Sequence, residues 1–410
     1  PSFLIAPEPI TEFDETRDFE VVVVGAGVSG MAAAMSAAEA GAKIACVQRE
    51  ATPSSQGNMA AGVDLNQTSE AGKQALISYL IKLADHRSNR ALLEAWADNS
   101  FEALSWFREA ASAGGIEVNP DEPQADRVLH INGYDVYLHA NTYFRIGHDE
   151  VVKAITPIAE SAGVEFFFSC PAQQLVTDES GRVTGVVCEE DGKNVLFNAS
   201  KGVILATGDY QCDLEMVAYY CPDIKEFPPC QMNRTGDGHK ICARHGADFW
   251  HMHNAAGFWM AGRNLDNTAF SNGALASHKY KCYGITVGKN GRRFYMDWDG
   301  HKSLDVSNDA ADIPRDDLSR HVGSRHGVMQ FGGEWNHLPM PSVGWFVFDS
   351  DNYERAFDFE ATKTTDPVAD GWLYKADTLE DLAAQMEVPP EELTATVAQW
   401  NEFCERGADM

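Results

Sequence analysis

Residues 19–48 read FEVVVVGAGVSGMAAAMSAAEAGAKIACVQ, and this stretch decides the fold. The apolar run 19–24 predicts a strand. Gly25, Gly27 and Gly30 follow it at G-x-G-x-x-G spacing, and the small side chains of 31–40 suit a helix that lies close against a sheet. Gly41 is placed to stop that helix, and 43–48 reads as a second strand, which completes a βαβ unit. The three glycines serve different ends, since Gly25 permits a tight turn, Gly27 lets backbone approach a diphosphate, and Gly30 lets helix and strand pack closely. The helix N-terminus then offers N–H groups and partial positive charge to phosphates, with Ser29 in its first turn. The strand before the glycines and the helix after them favour a dinucleotide site over a purely structural turn.

An acid at the end of the second strand usually holds the ribose hydroxyls of such a nucleotide. Gln48 stands there instead. Its amide oxygen is able to accept a hydroxyl proton, though without the strength of a charge-assisted bond. Glu50 is the alternative acid, on the same face two residues on, and Arg49 between them is counted with the site.

The rest of the chain agrees with an α/β enzyme of two structural regions, because 410 residues exceed what one compact core usually holds. An excess of 61 acidic over 32 basic residues would repel phosphate backbones at long range, so nucleic acid is not expected as a partner. No apolar run reaches the ~20 residues of a membrane span. Nine scattered cysteines form neither a disulfide framework nor C-x-x-C or C-x-x-C-H signatures, so no metal site is assigned. Cys212, Cys221, Cys230 and Cys242 are loosely grouped, which leaves an iron-sulfur cluster as an alternative to ordinary buried thiols. The chain begins at Pro1 with neither a Met nor a charged, apolar leader, which is compatible with a targeting segment removed ahead of it, so the compartment is open between cytoplasmic and exported.

Residues 1–18 read as an extended acidic arm. Helical periodicity runs through 69–114 and is closed by Gly114 and Gly115, a hairpin-like stretch covers 128–143, and a helix with a following strand spans 148–170. Strands are expected at 174–177 and 183–188, joined by the turn 178–181, and GVILATG (202–208) reads as a buried strand ending in glycine. From about residue 250 aromatics, His and Asn replace βα alternation, and a second domain is placed there. Two helices broken at Pro389-Pro390 close the sequence.

Six segments in order extend the reading: VVVVGAGVSGMAAA (21–34), SSQGNMAAGVDLN (54–66), GRVTGVV (181–187), GVILATGDY (202–210), RTGDGHKICARHGA (234–247) and NGRRF (290–294). Together they resemble the flavoprotein family of fumarate reductase and succinate dehydrogenase, which includes urocanate reductases and 3-ketosteroid dehydrogenases. The resemblance implies a Rossmann-like FAD-binding domain over 1–250, with an inserted α+β capping domain over 251–400 that closes on a substrate. It places Ser54, Ser55, Gly57, Asn58 and Gly62 along flavin and diphosphate, Thr207 and Gly208 against the adenosine half, and Asp237 near the isoalloxazine. A simpler role for Asp237 is a helix N-cap. Covalent members of the family attach FAD through a His in the segment matching 54–62; none stands there, so a non-covalent flavin is expected.

Three departures from the family pattern bear on chemistry. The dicarboxylate-binding His falls, by register from Ala247, on Phe258. The clamp arginine that donates a proton falls on His301, a residue able to donate near neutral pH, with Arg315, Arg320 and Arg325 as rival donors or anion clamps. The family's last glycine-rich segment would begin where the sequence stops at Met410, so the return to the FAD domain is expected to be missing from these residues.

The resemblance therefore implies hydride transfer from flavin N5 to an activated carbon-carbon double bond. Phe249, Trp250, Phe258, Trp259, Tyr280, Tyr283, Tyr295 and Trp298 suggest an enone or unsaturated acid larger and more apolar than fumarate. Each aromatic taken singly is also a candidate core residue. Two alternatives stay open: dehydrogenation of a saturated ketone with Tyr283 or Tyr295 as base, and a flavin electron-carrier subunit. No electron-supplying module is visible, so an external electron-donor protein is expected as a partner.

Overall fold

In a computed structural model of the chain, residues 1–55, 59–84, 86–115, 128–142, 148–222, 225, 234–250, 252–253, 262–263, 269–270, 284–294, 328–331, 334–337, 344–357 and 364–406 are described. They divide into two compact units. One comprises Pro1–Tyr79, Asn89–Tyr219 and Asn233–Trp250; the other comprises Leu80–Ser88, Tyr220–Met232 and His251–Met410.

The first unit is built on β1 (Glu15–Val24), which pairs in parallel with β2 (Ile44–Val47) on one side and β9 (Lys193–Leu205) on the other. Beyond β2 lies the parallel β6 (Val164–Phe167), and beyond β9 come the antiparallel β8 (Val183–Glu190) and β7 (Ala172–Thr177). The resulting six-stranded order is β6-β2-β1-β9-β8-β7. Alternation along β1 and β2 feeds two cores. Val23, Ile44 and Cys46 pack under α1 (Val28–Glu39), α3 (Arg90–Ala113) and α4 (His148–Ser161), while Val22, Val24, Ala45 and Val47 join Phe19, Val186 and Phe197 on the opposite face. Strands buried on both faces explain the continuous apolar run of the sequence.

The termini of α1 agree with the glycine reading: Gly27 is its N-cap, and Gly41, just beyond the C-cap, has φ +83°. Gly114 is the C-cap of α3, and Asn89 caps its start by accepting from the Ala91 amide. A second sheet, β3 (Met59–Val63), β5 (Tyr134–Thr142) and β4 (Val128–Ile131), contains the expected hairpin.

Two expectations about strands need correction. β1 begins at Glu15, so the end of the proposed arm is strand: residues 15–19 pair with 195–199 of β9. Their charges are accommodated sideways, with Arg17 donating to Glu15 and Glu190 and lying over the Phe167 ring at 4.8 Å. Of GVILATG only 202–205 belong to the 13-residue β9, which ends at Leu205, and that end is only partly buried, with Ile204 40% exposed and lining a cleft. The hairpin from β8 into β9 turns at Asp191-Gly192, with φ of 51° and 75°, the left-handed pair that an Asp-Gly hairpin turn requires.

The second unit contains β12 (Ile285–Gly288) paired with β15 (Gly344–Val347), the short pairs β10 (Gly262–Arg263) with β11 (Ala269–Phe270) and β13 (Val328–Phe331) with β14 (Glu334–His337), and helices α7 (Tyr353–Ala356), α8 (Leu379–Met386) and α9 (Pro390–Arg406). The helix break falls at the paired prolines, as read from the sequence. Ile285, Val287, Met386, Leu393 and Trp400 form its core. No described helix is long and apolar enough to cross a membrane.

The described cysteines are thiols without disulfides. Among the described residues no three metal-ligating groups assemble; Cys230, one of the four loosely grouped thiols, lies outside them. Burial pushes the Cys46 thiol up to about 12. That leaves on the order of one thiolate in 10⁴ near pH 8. Native alkylation with iodoacetamide at that pH is therefore expected to mark the exposed Cys404 and spare Cys46 until denaturant is added, as peptide mass spectrometry would register. Equal labelling of both in the native protein would contradict this burial.

Candidate FAD-binding site

At the carboxyl ends of β1, β2 and β9 the first unit opens into a cleft of about 810 Å³, a size suited to a small-molecule or cofactor site. Gly25, Gly27, Ser29, Gln48, Arg49, Ser54, Ser55, Thr207, Gly208 and Asp237 line it, so ten residues singled out in the sequence meet on one surface. Ile204, Arg234, His239 and Cys170 line it too, and the sequence alone assigns them no role. Arg234 and His239 flank the T-G-D-G motif, and that adjacency is the available signal. Phe249, read as a substrate-side aromatic, belongs to the same wall.

The loop is held from several directions. Gly25 has φ +106°, its amide donates to the Val47 carbonyl at 2.8 Å, and a Cβ there would lie 2.4 Å from the Ala206 oxygen. Gly30 is buried below the loop and is not part of the lining; its α-carbon is pressed against the Gly25 carbonyl. Gln48 is 8% exposed, and its amide oxygen accepts from the Ala26 amide at 3.4 Å while its nitrogen donates to the Thr52 carbonyl at 3.4 Å. The side chain expected to meet a ribose thus ties the turn after β1 to the turn after β2. Ser55 accepts from the Val28 amide at 3.3 Å, in the first turn of α1, and its own amide donates to Asp149 at 2.8 Å.

Asp237 is not the N-cap that the sequence suggests. The cap of α6 (Asp237–Ala243) is Gly236, at φ +69°, and Asp237 is the first helical residue. Its carboxylate accepts from Arg49 Nη1 at 2.8 Å and from the Thr235 hydroxyl at 2.9 Å. Arg49 also donates to Thr235 Oγ1 at 2.6 Å and to Glu50 at 3.1 Å. The reason is spatial: α6 runs beside the end of β2, where the guanidinium draws the acid sideways. Burial pulls the His239 imidazole below its ordinary value, with the Asp209 charge opposing, and its Nδ1 has no hydrogen-bond partner among the described residues.

Gly62, also assigned to the cofactor, lies in β3 against α3, where a Cβ would come 2.8 Å from Leu104 Cδ1. The packing of strand on helix is enough to require glycine there. Gly57, Asn58, Tyr283, His301, Arg315, Arg320 and Arg325 lie outside the described residues, as do the aromatics Phe258, Trp259, Tyr280, Tyr295 and Trp298.

A parallel sheet with a glycine-cradled cleft at its carboxyl edge, beside a helix N-terminus capped by glycine, defines a dinucleotide-binding protein of the Rossmann class. The sequence pattern of the FAD binding domain family matches residues 20–410, and the chain belongs to that family. It is 23% identical over 402 residues to a probable fumarate reductase, Ifc3, of Shewanella frigidimarina, covering 95% of this chain and 60% of the relative. It is 23% identical over 428 residues to a urocanate reductase of Eggerthella lenta, covering 98% and 61%. The chain therefore spans about 60% of the length of these curated relatives. Its fold is like that of a 3-ketosteroid Δ1-dehydrogenase from Sterolibacterium denitrificans, with a TM-score of 0.69 at 16% identity, covering 96% of this chain and 80% of that one.

The cleft fits the cofactor of the family. Gly25 and Gly27 let the loop pack closely beside the cleft, since a Cβ on Gly25 would sit 2.4 Å from the Ala206 oxygen and one on Gly27 3.3 Å from the Ser54 oxygen.

Proposed function

We propose that the chain carries the FAD-binding part and the capping part of a reductase acting on an activated carbon-carbon double bond. The glycine-cradled cleft, in a chain matching the FAD family over 20–410 and similar to proteins named as fumarate and urocanate reductases, is the observation that carries this reading. When bound, the flavin supplies hydride from N5.

The protein's own part is to hold, orient and protonate. Backbone at Gly25 and Gly27, with the first turn of α1 around Ser29, holds the diphosphate. Thr207 and Gly208 serve the adenosine half, and Ser54, Ser55, Gly57 and Asn58 are assigned to the flavin and diphosphate. We assign Asp237 to the ribose side in place of the isoalloxazine, because Arg49 anchors it beside the end of β2. Gln48 acts as a lock on the loop, which leaves Glu50 as the acid for ribose hydroxyls. Residues 1–250, apart from Leu80–Ser88 and Tyr220–Met232 of the second compact unit, form the FAD-binding domain, and 251–400 form the capping domain. The flavin is non-covalent, since 54–62 contains no His.

His301 delivers the proton to the carbon next to the one that receives hydride, with Arg315 and Arg320 orienting an anionic group of the substrate. Phe in place of His at 258 favours an enone or aromatic unsaturated acid over a small dicarboxylate. Electrons come from an external donor protein. The fold likeness to a ketosteroid dehydrogenase favours one second reading, the reverse reaction with Tyr283 as base.

The test is anaerobic stopped-flow. Photoreduced flavoprotein is mixed with a panel of enones, cinnamate-type acids and fumarate, and reoxidation is followed near 450 nm. At least one bulky alkene is expected to accelerate reoxidation well beyond fumarate. If no alkene does so while saturated ketones reduce the oxidised flavin, the dehydrogenase reading replaces the reductase.

A further inference from the structure

We propose that Arg234 is a charged ligand of the FAD diphosphate, a role to which its place, its charge and its lack of an acid among the described residues all point. The residue lines the cleft, and its main-chain position is fixed because its carbonyl accepts from the Cys212 amide at 2.8 Å. Its side chain crosses Gly208: a Cβ on that glycine would meet Arg234 Cδ at 3.1 Å and Nε at 3.5 Å. Gly208 has φ +77° and directly follows Thr207, whose α-carbon is 3.4 Å from the position of a Gly25 Cβ. The guanidinium stem and the phosphate loop therefore flank the same bend of chain.

The balance of charge within the cleft gives Arg234 its role. Glu50, Asp237 and Asp248 line the wall, against the cations Arg49 and Arg234. Arg49 is committed to Glu50 and Asp237. Among the described residues Arg234 has no carboxylate within ion-pair distance. A diphosphate brings two negative charges into a chain whose net charge is −29. The N-terminus of α1 offers only about half a unit of positive charge. A planar guanidinium, able to donate two parallel bonds to phosphate oxygens, supplies what remains.

Apoprotein of the whole chain is titrated with FAD, ADP and adenosine, by flavin fluorescence for the first and calorimetry for the others. Arg234→Gln is expected to weaken FAD and ADP alike by about 10- to 100-fold, to leave adenosine within about twofold, and to flatten the salt dependence of ADP binding. Arg234→Lys keeps the charge and is expected to stay within about fivefold of wild type for ADP at low salt. Arg234→Met, with a similar stem, is the second neutral variant should the glutamine variant fold poorly, and the melting temperature of each apoprotein checks this. Unchanged ADP affinity in a folded neutral variant overturns the proposal. So does an equal loss for adenosine, which would place the guanidinium on the base.

Discussion

Replacing Gly30 with alanine is expected to destabilise the first unit by about 3–5 kcal/mol and to yield a colourless protein. The Cβ would stand 1.8 Å from the Gly25 carbonyl oxygen and 2.9 Å from its carbon. Both are backbone atoms, so no rotamer change gives relief. Gly25 has no room to yield either, being bonded through its amide to Val47 and pressed against the Ala206 carbonyl. The loop must therefore shift as a body, taking the cofactor-binding backbone with it. Gly41→Ala is the control. That residue has φ +83° but nothing within 4 Å, so only the left-handed conformation is penalised, at about 1–2 kcal/mol. Urea unfolding of the two variants, together with their flavin absorbance, separates packing from conformational strain. A Gly30→Ala protein as stable and as yellow as Gly41→Ala would show that the close approach is not needed.

The same geometry explains what was legible in the sequence. Glycine spacing, small helix residues and apolar strands are local signals, and they place β1, α1 and β2 to within a few residues, as well as the cleft they surround. The errors arise where partners distant in sequence decide the outcome. Glu15 and Arg17 look like an arm until Glu190 and the rings of Phe167 and Phe197 are brought alongside, and then they are strand. Gln48 reads from sequence as a ribose ligand alone, and its bonds to the Ala26 amide and the Thr52 carbonyl, which tie two turns together, are not legible there. Asp237 looks like a cap because acids favour helix starts, and only the third dimension reveals Arg49. Arg234 is invisible for a related reason: its significance is that no described acid reaches it, which no sequence pattern records.

Removing the imidazole at 301 is expected to slow substrate-dependent reoxidation of the flavin by about 10²- to 10⁴-fold, the usual weight of a positioned acid. His301→Ala should leave flavin content and the rate of flavin reduction by dithionite unchanged, since the role assigned to it concerns only the proton. Its pH signature distinguishes it from the arginines. A histidine donor acts when protonated, so the wild-type rate should fall as pH rises from the acid to the alkaline side of neutrality. An arginine donor would keep its proton throughout and give a flat profile over the same range. Arg315→Ala and Arg320→Ala are expected to raise KM for anionic substrates and to leave the pH dependence in place. A His301→Ala rate within threefold of wild type, with a flat profile, would transfer the donor role to an arginine. Loss of ketone oxidation in Tyr283→Phe alone would instead favour the dehydrogenase direction. The order of these outcomes follows from charge: a neutral alkene that gains hydride becomes an enolate, and only a group holding a proton at the working pH completes the reduction.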